Sequence, residues 1–326
     1  MNKKLIELAK EFDNKWNPPA SQLGKGKKIS IIIPVYYPVY LDEVLEHLNA
    51  IEKFHEIILV DDSGNFNGDR YTSLKDNENI KVIYHEKNMG RPAARNSGAA
   101  YASGDILLFL DQDMFLNPSF PAEAREHYGT NKSLIFLGLR DTVPYESIPK
   151  LDKWVSPNSE KDWRLKTVVS SEFVDLTVRS IGGPNHNCEQ NQPLRIANET
   201  DNLRKMGIDE ENTVGFWDLP SMVVSHTLAI SSPDYYLIGG FPEWIQGWGG
   251  EDIVLGFLAC ASHIPICLSR CASYQAYHHP YSGSEKAKIC ELIQNIDHYR
   301  KWALNIETFP RLDWKKLKDR TIGYII

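Results

Sequence analysis

Short, almost wholly apolar runs in the first third of the chain constrain its fold most. The run KISIIIPVY is too apolar for a strand with one wet face and too short for a buried helix, so it predicts a central parallel strand. HEIILVDD, NIKVIYHE and DILLFLDQDM repeat the pattern, and helical patterns at Leu41–Ile51 and RPAARNSGAAYAS alternate with them. This alternation predicts an α/β fold with a mostly parallel central sheet flanked by helices, in which ligands bind beyond the carboxyl ends of the strands.

Composition agrees with a globular chain and excludes several classes of protein. The 326 residues are 42% hydrophobic and 24% charged, which excludes disorder, collagen and small disulfide scaffolds. A formal net charge of −7 argues against the broad basic surface that nucleic-acid binding needs, so we expect no nucleic-acid partner. The five cysteines are odd in number and mostly lie in apolar surroundings, which predicts reduced thiols in a cytoplasmic protein.

Both ends of the chain carry lysine-rich segments. Residues 1–28 predict an amphipathic helix and a linker, without the apolar core of a secretion signal. The longest apolar runs, Ile29–Val35 and Ile106–Leu110, are far shorter than the roughly 20 residues of a membrane helix. We therefore expect a cytoplasmic protein without a transmembrane segment, whose basic ends are either solvated tails or peripheral contacts with the inner face of the membrane.

A D-x-D sequence directly follows the apolar run ILLFL. The predicted strand would deliver Asp111 and Asp113 rigidly to the sheet edge, where two carboxylates can hold a hard divalent cation together with phosphate oxygens. A diphosphate could bind in this way without a basic patch. The alternative is that the two acids only end the strand and shape the turn.

Two further segments bring charged groups to predicted strand and helix ends. Asp61 and Asp62 end the second strand, and NMGRPAARNSG opens a helix with small residues that allow close approach to the sheet. Arg91 and Arg95 are four residues apart, so they lie on one face near the positive end of that helix. The alternative is a solvated basic turn.

A Gly- and Trp-rich loop precedes another acidic pair in the C-terminal half. Within it, Trp248 can stack on a sugar ring, and Gly249 and Gly250 allow tight backbone approach. Glu251 and Asp252 would stand at a helix start, where one carboxylate can deprotonate a hydroxyl group while the other orients it. The alternative is an acidic helix N-terminus that the helix dipole alone favours.

The succession IIIPVY, LVDD and NMGRPAARNSGAAYASGDILLFLDQD resembles the nucleotide-binding half of inverting, family-two glycosyltransferases of the GT-A fold, over about residues 29–118. The resemblance implies that a sugar nucleotide is held at the carboxyl edge of the sheet. The contacts that it implies are Pro34, Tyr36 and Asp62 for the base, Arg91 and Arg95 for the diphosphate or ribose, Asp111 for the ribose or donor sugar, and Asp113 for the metal.

The segment GGFPEWIQGWGGEDIVLGFLA is similar to the acceptor-side module of β-galactosyltransferases and bacterial chondroitin-type polymerases. The roles that this similarity implies are Asp252 as the base, Glu251 as its orienting partner, and Trp248, Gly249 and Gly250 as acceptor contacts. It also implies a metal-binding histidine in YHHP, for which His278 is our choice, and Mn²⁺, or else Mg²⁺, as the metal.

These expectations describe a metal-dependent inverting enzyme that moves a hexose or N-acetylhexosamine from a UDP-sugar to a saccharide, glycolipid or glycopeptide acceptor. We expect a GT-A domain over 29–305, with a nucleotide-sugar half (29–118) and an acceptor half (119–305), and a separate tail over 306–326. The polar 145–215 region is either a loop over a site or disordered surface. A sugar-nucleotide-binding or nucleotidyltransferase protein on a similar scaffold is the alternative, although PVYYPVYLDE lacks the Gly-rich basic loop of nucleotidyltransferases.

Overall fold

The computed structural model describes residues 27–65, 70–74, 76–129, 135–148, 151, 154, 223–262, 264, 266–277, 290–291, 294–295, 312 and 314–324. The predicted N-terminal helix, most of the polar 145–215 region and His278 lie outside these residues. Within the described ranges, no helix combines the length and the apolar character that crossing a membrane requires.

Four parallel strands form the centre of the sheet. They are β1 (Ile29–Val35), β2 (Glu56–Asp61), β3 (Ile80–His85) and β4 (Ile106–Leu110), in the spatial order β4-β1-β2-β3. Almost every residue in them is buried, as near-continuous apolar runs require when both faces of a sheet are covered. The α/β fold with a mostly parallel central sheet is therefore confirmed.

Helices cover this sheet on both faces. In the described residues they are α1 (Leu41–Ile51), α2 (Arg91–Tyr101), α3 (Phe120–Tyr128), α4 (Ser232–Ile238), α5 (Glu251–Ala261) and the short α6 (Trp314–Leu317). The bounds of α1 match the predicted helix. A Cβ atom on Gly98 of α2 would lie 2.4 Å from Ile32 Cγ2, so this glycine lets α2 approach β1 closely.

Alternate residues of β1 enter two apolar layers on opposite faces of the sheet, because side chains alternate along a strand. Ile31 belongs to the layer that contains Leu45 of α1. Ile32 belongs to the layer that contains Ala94 of α2 and Leu255 of α5. Helix α1 is thus packed on one face of the central strands, and α2 and α5 are packed on the other.

Further strands extend the sheet at both edges. They are β5 (Met114–Phe115), β6 (Ile135–Pro144), β7 (Thr227–Ser231), β8 (Ile266–Tyr277) and β9 (Thr321–Tyr324), and the full order of the described strands is β5-β8-β6-β7-β4-β1-β2-β3-β9. Strand β7 is antiparallel to β4 and β6, whereas β6 and β8 are parallel. β5 pairs with β8 through Met114 and Gln275, which brings the end of β8 to the D-x-D turn.

The described residues of 306–326, the segment predicted as a C-terminal tail, include a strand of the sheet. β9 pairs antiparallel with β3, with Tyr84 opposite Ile322, and so completes an edge of the sheet. The Trp314 ring packs against Tyr236, with 4.7 Å between ring centroids. The lysines in this segment masked the apolar alternation of a short edge strand, so composition alone suggested a solvated tail.

Candidate active site

The D-x-D turn lies at the carboxyl edge of β4. Asp113 is buried, its Oδ2 accepts a hydrogen bond from Gln275 Nε2 at 2.8 Å, and its carbonyl oxygen accepts one from the Ala276 amide at 2.9 Å. The amide of Asp111 donates to the His226 carbonyl at 3.0 Å. β8 and the residue before β7 therefore hold the turn that carries both carboxylates in place, as a site that must bind a ligand at a fixed position requires.

Arg95 joins the D-x-D turn to the acidic pair at the start of α5. Its side chain is only 1% exposed; Nη2 donates to Asp111 Oδ1 at 2.9 Å and Nη1 to Glu251 Oε1 at 3.1 Å. Arg91, one helical turn earlier, approaches the same Glu251 oxygen at 3.4 Å and keeps 41% of its side chain exposed. Arg95 and Glu251 are 156 residues apart in the chain. Through Arg95, the D-x-D turn and the acidic pair thus form one site.

The two carboxyl groups at the start of α5 have opposite electrostatic environments. Burial alone would raise the pKa of Glu251, but Arg91 and Arg95 hold it below its ordinary value. Burial and the neighbouring Glu251 charge raise the pKa of Asp252 to about 7. Among the described residues, Asp252 makes no salt bridge, and its Oδ1 accepts a hydrogen bond from the Ile253 amide at 3.0 Å. A carboxylate with a pKa near neutrality can accept a proton at physiological pH, which is the requirement for a general base.

Asp62 lies at the carboxyl edge of β2, beside the N-terminus of α2. Its oxygens accept hydrogen bonds from the amides of Met89 at 2.7 Å and Gly90 at 2.8 Å, and from His85 Nδ1 at 2.7 Å. Asp62 therefore braces the turn that leads into Arg91. The positive φ of +88° at Gly90 allows this turn.

The residues predicted to contact the base do not all face outwards. Pro34 is buried within β1, opposite Val60 of β2. Tyr36, beyond the end of the strand, is 43% exposed, and its ring meets that of Tyr37 edge to face at 4.3 Å. Tyr36 is thus available to a ligand at this edge, whereas the Pro34 side chain is enclosed in the sheet.

The loop before α5 carries Trp248, whose side chain is 40% exposed. Gly247, Gly249 and Gly250 all have positive φ, between +79° and +96°, so glycine is required for this backbone path. Asn295, which is buried, donates its amide group to the Gly249 carbonyl at 2.8 Å. The loop is thus held from behind while the indole stays accessible.

Asn295 and Gln275 are functional candidates that sequence reasoning missed. Neither residue stands in a recognisable motif, and each acts through a hydrogen bond to a group that is distant in the chain: Asn295 to the loop before α5, and Gln275 to Asp113. Glu291 adds a third such contact, since its carboxylate accepts a hydrogen bond from the Trp248 amide at 2.9 Å. Such contacts have no local sequence signal.

The chemistry of the donor set suits a hard divalent cation. The charge of Glu251, followed by those of Asp111, Asp252 and Asp113, raises the pKa of Arg91, so four carboxyl groups lie near its guanidinium group. No group of three or more metal-binding side chains is formed within the described residues. A cation of the Mg²⁺ type is generally bound through one or two carboxylates plus substrate phosphates, and Asp111 and Asp113 are two such carboxylates. The predicted ligand His278 lies outside the described residues.

Comparison with protein families gives a match over the part of the chain that includes the D-x-D turn. Residues 30–169 match the model of Glycosyl transferase family 2. Validoxylamine A glucosyltransferase of Streptomyces hygroscopicus subsp. jinggangensis is 28% identical over 278 residues, which is 83% of this chain and 60% of that protein. Undecaprenyl-phosphate 4-deoxy-4-formamido-L-arabinose transferase of Proteus mirabilis is 31% identical over 175 residues, which is 50% of this chain and 48% of that protein. The chain spans only about half to three-fifths of these relatives.

Solved structures support the same fold. A mannosyltransferase from Pyrobaculum calidifontis, in complex with GDP-Man and Mn²⁺, has a TM-score of 0.52 at 12% identity, covering 97% of this chain and 76% of its own. GalNAc-T7 with UDP, GalNAc and Mn²⁺ has a TM-score of 0.53 at 16% identity, covering 98% and 62%. Residues 30–169 of this chain are thus similar to glycosyl transferase family 2, and the chain has the GT-A fold.

Proposed function

We propose that this chain is a metal-dependent inverting glycosyltransferase that moves a hexose or N-acetylhexosamine from a UDP-sugar to a hydroxyl group of a saccharide-type acceptor. One observation carries the proposal: buried Arg95 binds Asp111 of the D-x-D turn and Glu251 of the acidic pair at the same time. A donor-binding motif and a proton-accepting motif are thereby held in one site, as group transfer between two substrates requires. The names of the relatives, all transferases, agree with this.

Asp252 would act as the catalytic base. Its raised pKa, about 7, matches the task of taking the proton of an acceptor hydroxyl near neutral pH. The deprotonated oxygen then attacks the anomeric carbon from the side opposite the leaving diphosphate, and one displacement inverts the anomeric configuration. Glu251, which Arg91 and Arg95 keep ionised, would accept a hydrogen bond from the acceptor and so orient it.

Asp113 and His278 would hold Mn²⁺, or Mg²⁺. When bound, the metal would neutralise charge on the diphosphate as it leaves. Arg91, partly exposed and paired with Glu251, would contact the diphosphate or ribose, while exposed Tyr36 would lie against the base. Arg95, which is buried between two carboxylates, would act on the donor through Asp111 rather than by touching the phosphates.

The acceptor would bind over the loop before α5. Exposed Trp248 offers a flat apolar face, and Gly249 and Gly250 leave room for a sugar ring close to the backbone. A free saccharide, a glycolipid and a glycopeptide all present the hydroxyl group that this arrangement needs. The names of the relatives include a glucosyltransferase and an undecaprenyl-phosphate sugar transferase, which favours testing both a soluble and a lipid-linked acceptor. The cytoplasmic location and the contact with the inner membrane face stay predictions from the sequence.

The test combines nucleotide binding with transfer. Purified protein is titrated with UDP and Mn²⁺ by calorimetry, and UDP release from a panel of UDP-sugars is followed with simple saccharides and with a lipid-linked saccharide as acceptors. Asp252→Asn should keep UDP affinity within about twofold and lower transfer by about a thousandfold or more, because it removes the base alone. Asp113→Ala should lose the metal-dependent part of UDP binding.

Asp76→Asn is the matched control, because Asp76 is exposed and lies before β3, at the edge of the sheet opposite the site. It should retain both UDP binding and transfer. Near wild-type transfer by Asp252→Asn would refute the base assignment. Conversion of the UDP-sugar to UTP by added pyrophosphate, without transfer, would instead identify a nucleotidyltransferase.

A further inference from the structure

The middle residue of the D-x-D turn, Gln112, bridges two parts of the proposed donor site. Its side-chain oxygen accepts a hydrogen bond from the Tyr36 amide at 3.0 Å, and its Nε2 donates to the Tyr37 carbonyl at 2.8 Å. An amide N–H can only donate and a carbonyl can only accept, so these two partners fix the orientation of the Gln112 carboxamide. Gln112 therefore makes two directed bonds to the backbone that follows β1.

The two hydrogen bonds of Gln112 extend the link between β1 and β4 beyond the point where their backbone hydrogen bonds end. The ladder between β1 and β4 ends at Ile32 and Phe109. Beyond it, the carboxamide of Gln112 supplies the donor and acceptor that a peptide group of a neighbouring strand would supply. The segment after β1 is thus tied to β4 through a side chain.

The segment that follows β1 is largely exposed. Tyr37 is 65% exposed and Val39 is 54% exposed, so apolar packing does not anchor them as it anchors β1 itself. The side chains on either side of Gln112 are engaged elsewhere, Asp111 with Arg95 and Asp113 with Gln275. Gln112 is the residue of the turn that faces the segment carrying Tyr36.

We propose that Gln112 is a positioning residue that fixes the Tyr36–Tyr37 backbone relative to Asp113, and so determines nucleotide affinity and base preference. The inference rests on the proposed function, since it takes Tyr36 as the contact for the base and Asp113 as the group nearest the diphosphate metal. A nucleoside diphosphate spans both places. Its affinity then depends on their separation, which Gln112 keeps constant.

The experiment compares wild type with Gln112→Met, which keeps side-chain length but can neither accept nor donate these bonds. Calorimetric titrations with UDP, CDP, GDP and ADP, each with Mn²⁺, measure affinity and base preference. We expect Gln112→Met to weaken UDP binding about tenfold and to narrow the preference for UDP over the other three, because two directed bonds are lost. A second variant, Gln112→Glu, loses only the donor to Tyr37 and should show the same direction of change.

Gln294→Met is the matched control, because Gln294 is exposed and outside the site. It should leave every affinity unchanged. Hydrogen exchange of nucleotide-free protein gives an independent readout: amides in peptides that contain Tyr36 should exchange at least about tenfold faster in Gln112→Met, while peptides from β2 stay unchanged.

The outcomes separate the two proposals. If wild type binds UDP and Gln112→Met binds all four nucleotides with unchanged affinities, or if exchange near Tyr36 does not change, the positioning role is wrong and the proposed function stands. If wild type binds none of the four nucleotides with Mn²⁺, the proposed function fails and this role fails with it.

Discussion

Neighbouring carboxyl groups at the start of α5 differ in what surrounds them. Glu251 is paired with Arg91 and Arg95 and stays ionised, whereas Asp252 has burial and the Glu251 charge against its ionised form. Environments that push two pKa values apart are typical of sites where one group moves a proton and the other does not. Here Arg91 and Arg95 lower the pKa of Glu251, whereas burial and the Glu251 charge raise the pKa of Asp252.

The first prediction concerns the pH dependence of transfer. A base is active only when deprotonated, so kcat/KM should rise with pH and level off above an apparent pKa near 7, that of Asp252. Below it, the rate should fall about tenfold per pH unit. The measurement is kcat/KM from about pH 5.5 to 8.5, with circular dichroism to verify that the protein stays folded.

Glu251→Gln provides the check on cause. It removes the charge that raises the pKa of Asp252 and leaves Arg91 and Arg95 to lower it, so the acid limb should move to lower pH while the rate falls. An acid limb that stays in place would mean that another group controls it.

Sequence reasoning singled out most side chains of the candidate site because they stand in short motifs at strand and helix ends. Asp113, Glu251 and Asp252 could be predicted in this way. The partners of Arg95 could not, because a solvated arginine on a helix and one buried between two carboxylates share the same local pattern. Burial depends on contacts between distant parts of the chain.

The loop before α5 depends on a later stretch of the chain, of which residues 290–291 and 294–295 are described. Besides Gly249, Asn295 reaches the carbonyls of Gln246 at 3.2 Å and Trp248 at 3.3 Å. A Cβ atom on Gly247 would lie 2.8 Å from the Glu291 carboxylate, so the loop and this stretch are in close contact. The path of the loop, and with it the position of Trp248, is set by that contact.

The second prediction tests this contact. Asn295→Asp replaces the donated N–H bonds by a carboxylate facing carbonyl oxygens, which should displace the loop. We expect transfer to fall about tenfold to a hundredfold, as for a misplaced substrate-binding group, with UDP affinity unchanged within about twofold. The measurement is the transfer rate together with UDP calorimetry.

Gln294→Glu is the control, because it makes the same amide-to-acid change at the exposed neighbouring residue. Equal losses in both variants would point to an effect of charge alone. An equal loss of UDP binding in Asn295→Asp would point to general destabilisation instead.

Elements with a long apolar run or a clear helical repeat of apolar residues were predicted well, and very short elements were not. The four central strands and α1 stand out as apolar runs and as a helical period. The two-residue strand β5 and the edge strand β9 are too short for any period, and each forms only because a longer strand is beside it. Their positions depend on the completed sheet.

The GT-A fold of the chain includes its C-terminal segment, which connects both halves of the site. Arg320 donates to Ser97 Oγ of α2 at 3.0 Å, to the Ala93 carbonyl at 3.1 Å and to both oxygens of Glu243, at 2.5 and 2.8 Å. Asn96 of the same helix donates to Glu243 as well, at 2.8 Å. Arg320 therefore links the helix that carries Arg91 and Arg95 to the loop that leads to Trp248. We call this set of contacts the Arg320 clamp.

The last prediction follows from this clamp. Arg320→Ala should lower the free energy of unfolding by about 2–3 kcal/mol, because it removes a forked ion pair and leaves Glu243 without its guanidinium partner. Arg320→Lys should recover only part of the loss, since an ammonium group cannot reproduce the planar fork. Urea denaturation of these variants, of Glu243→Gln and of the Arg320→Ala/Glu243→Gln double variant measures the coupling free energy between the two side chains, which we expect to be about 1–2 kcal/mol.

Lys53→Ala is the control for the loss of a positive charge, because Lys53 is exposed. Additive losses in the double variant would show that the two side chains act independently and that the segment holds the halves together by packing and by β9 alone.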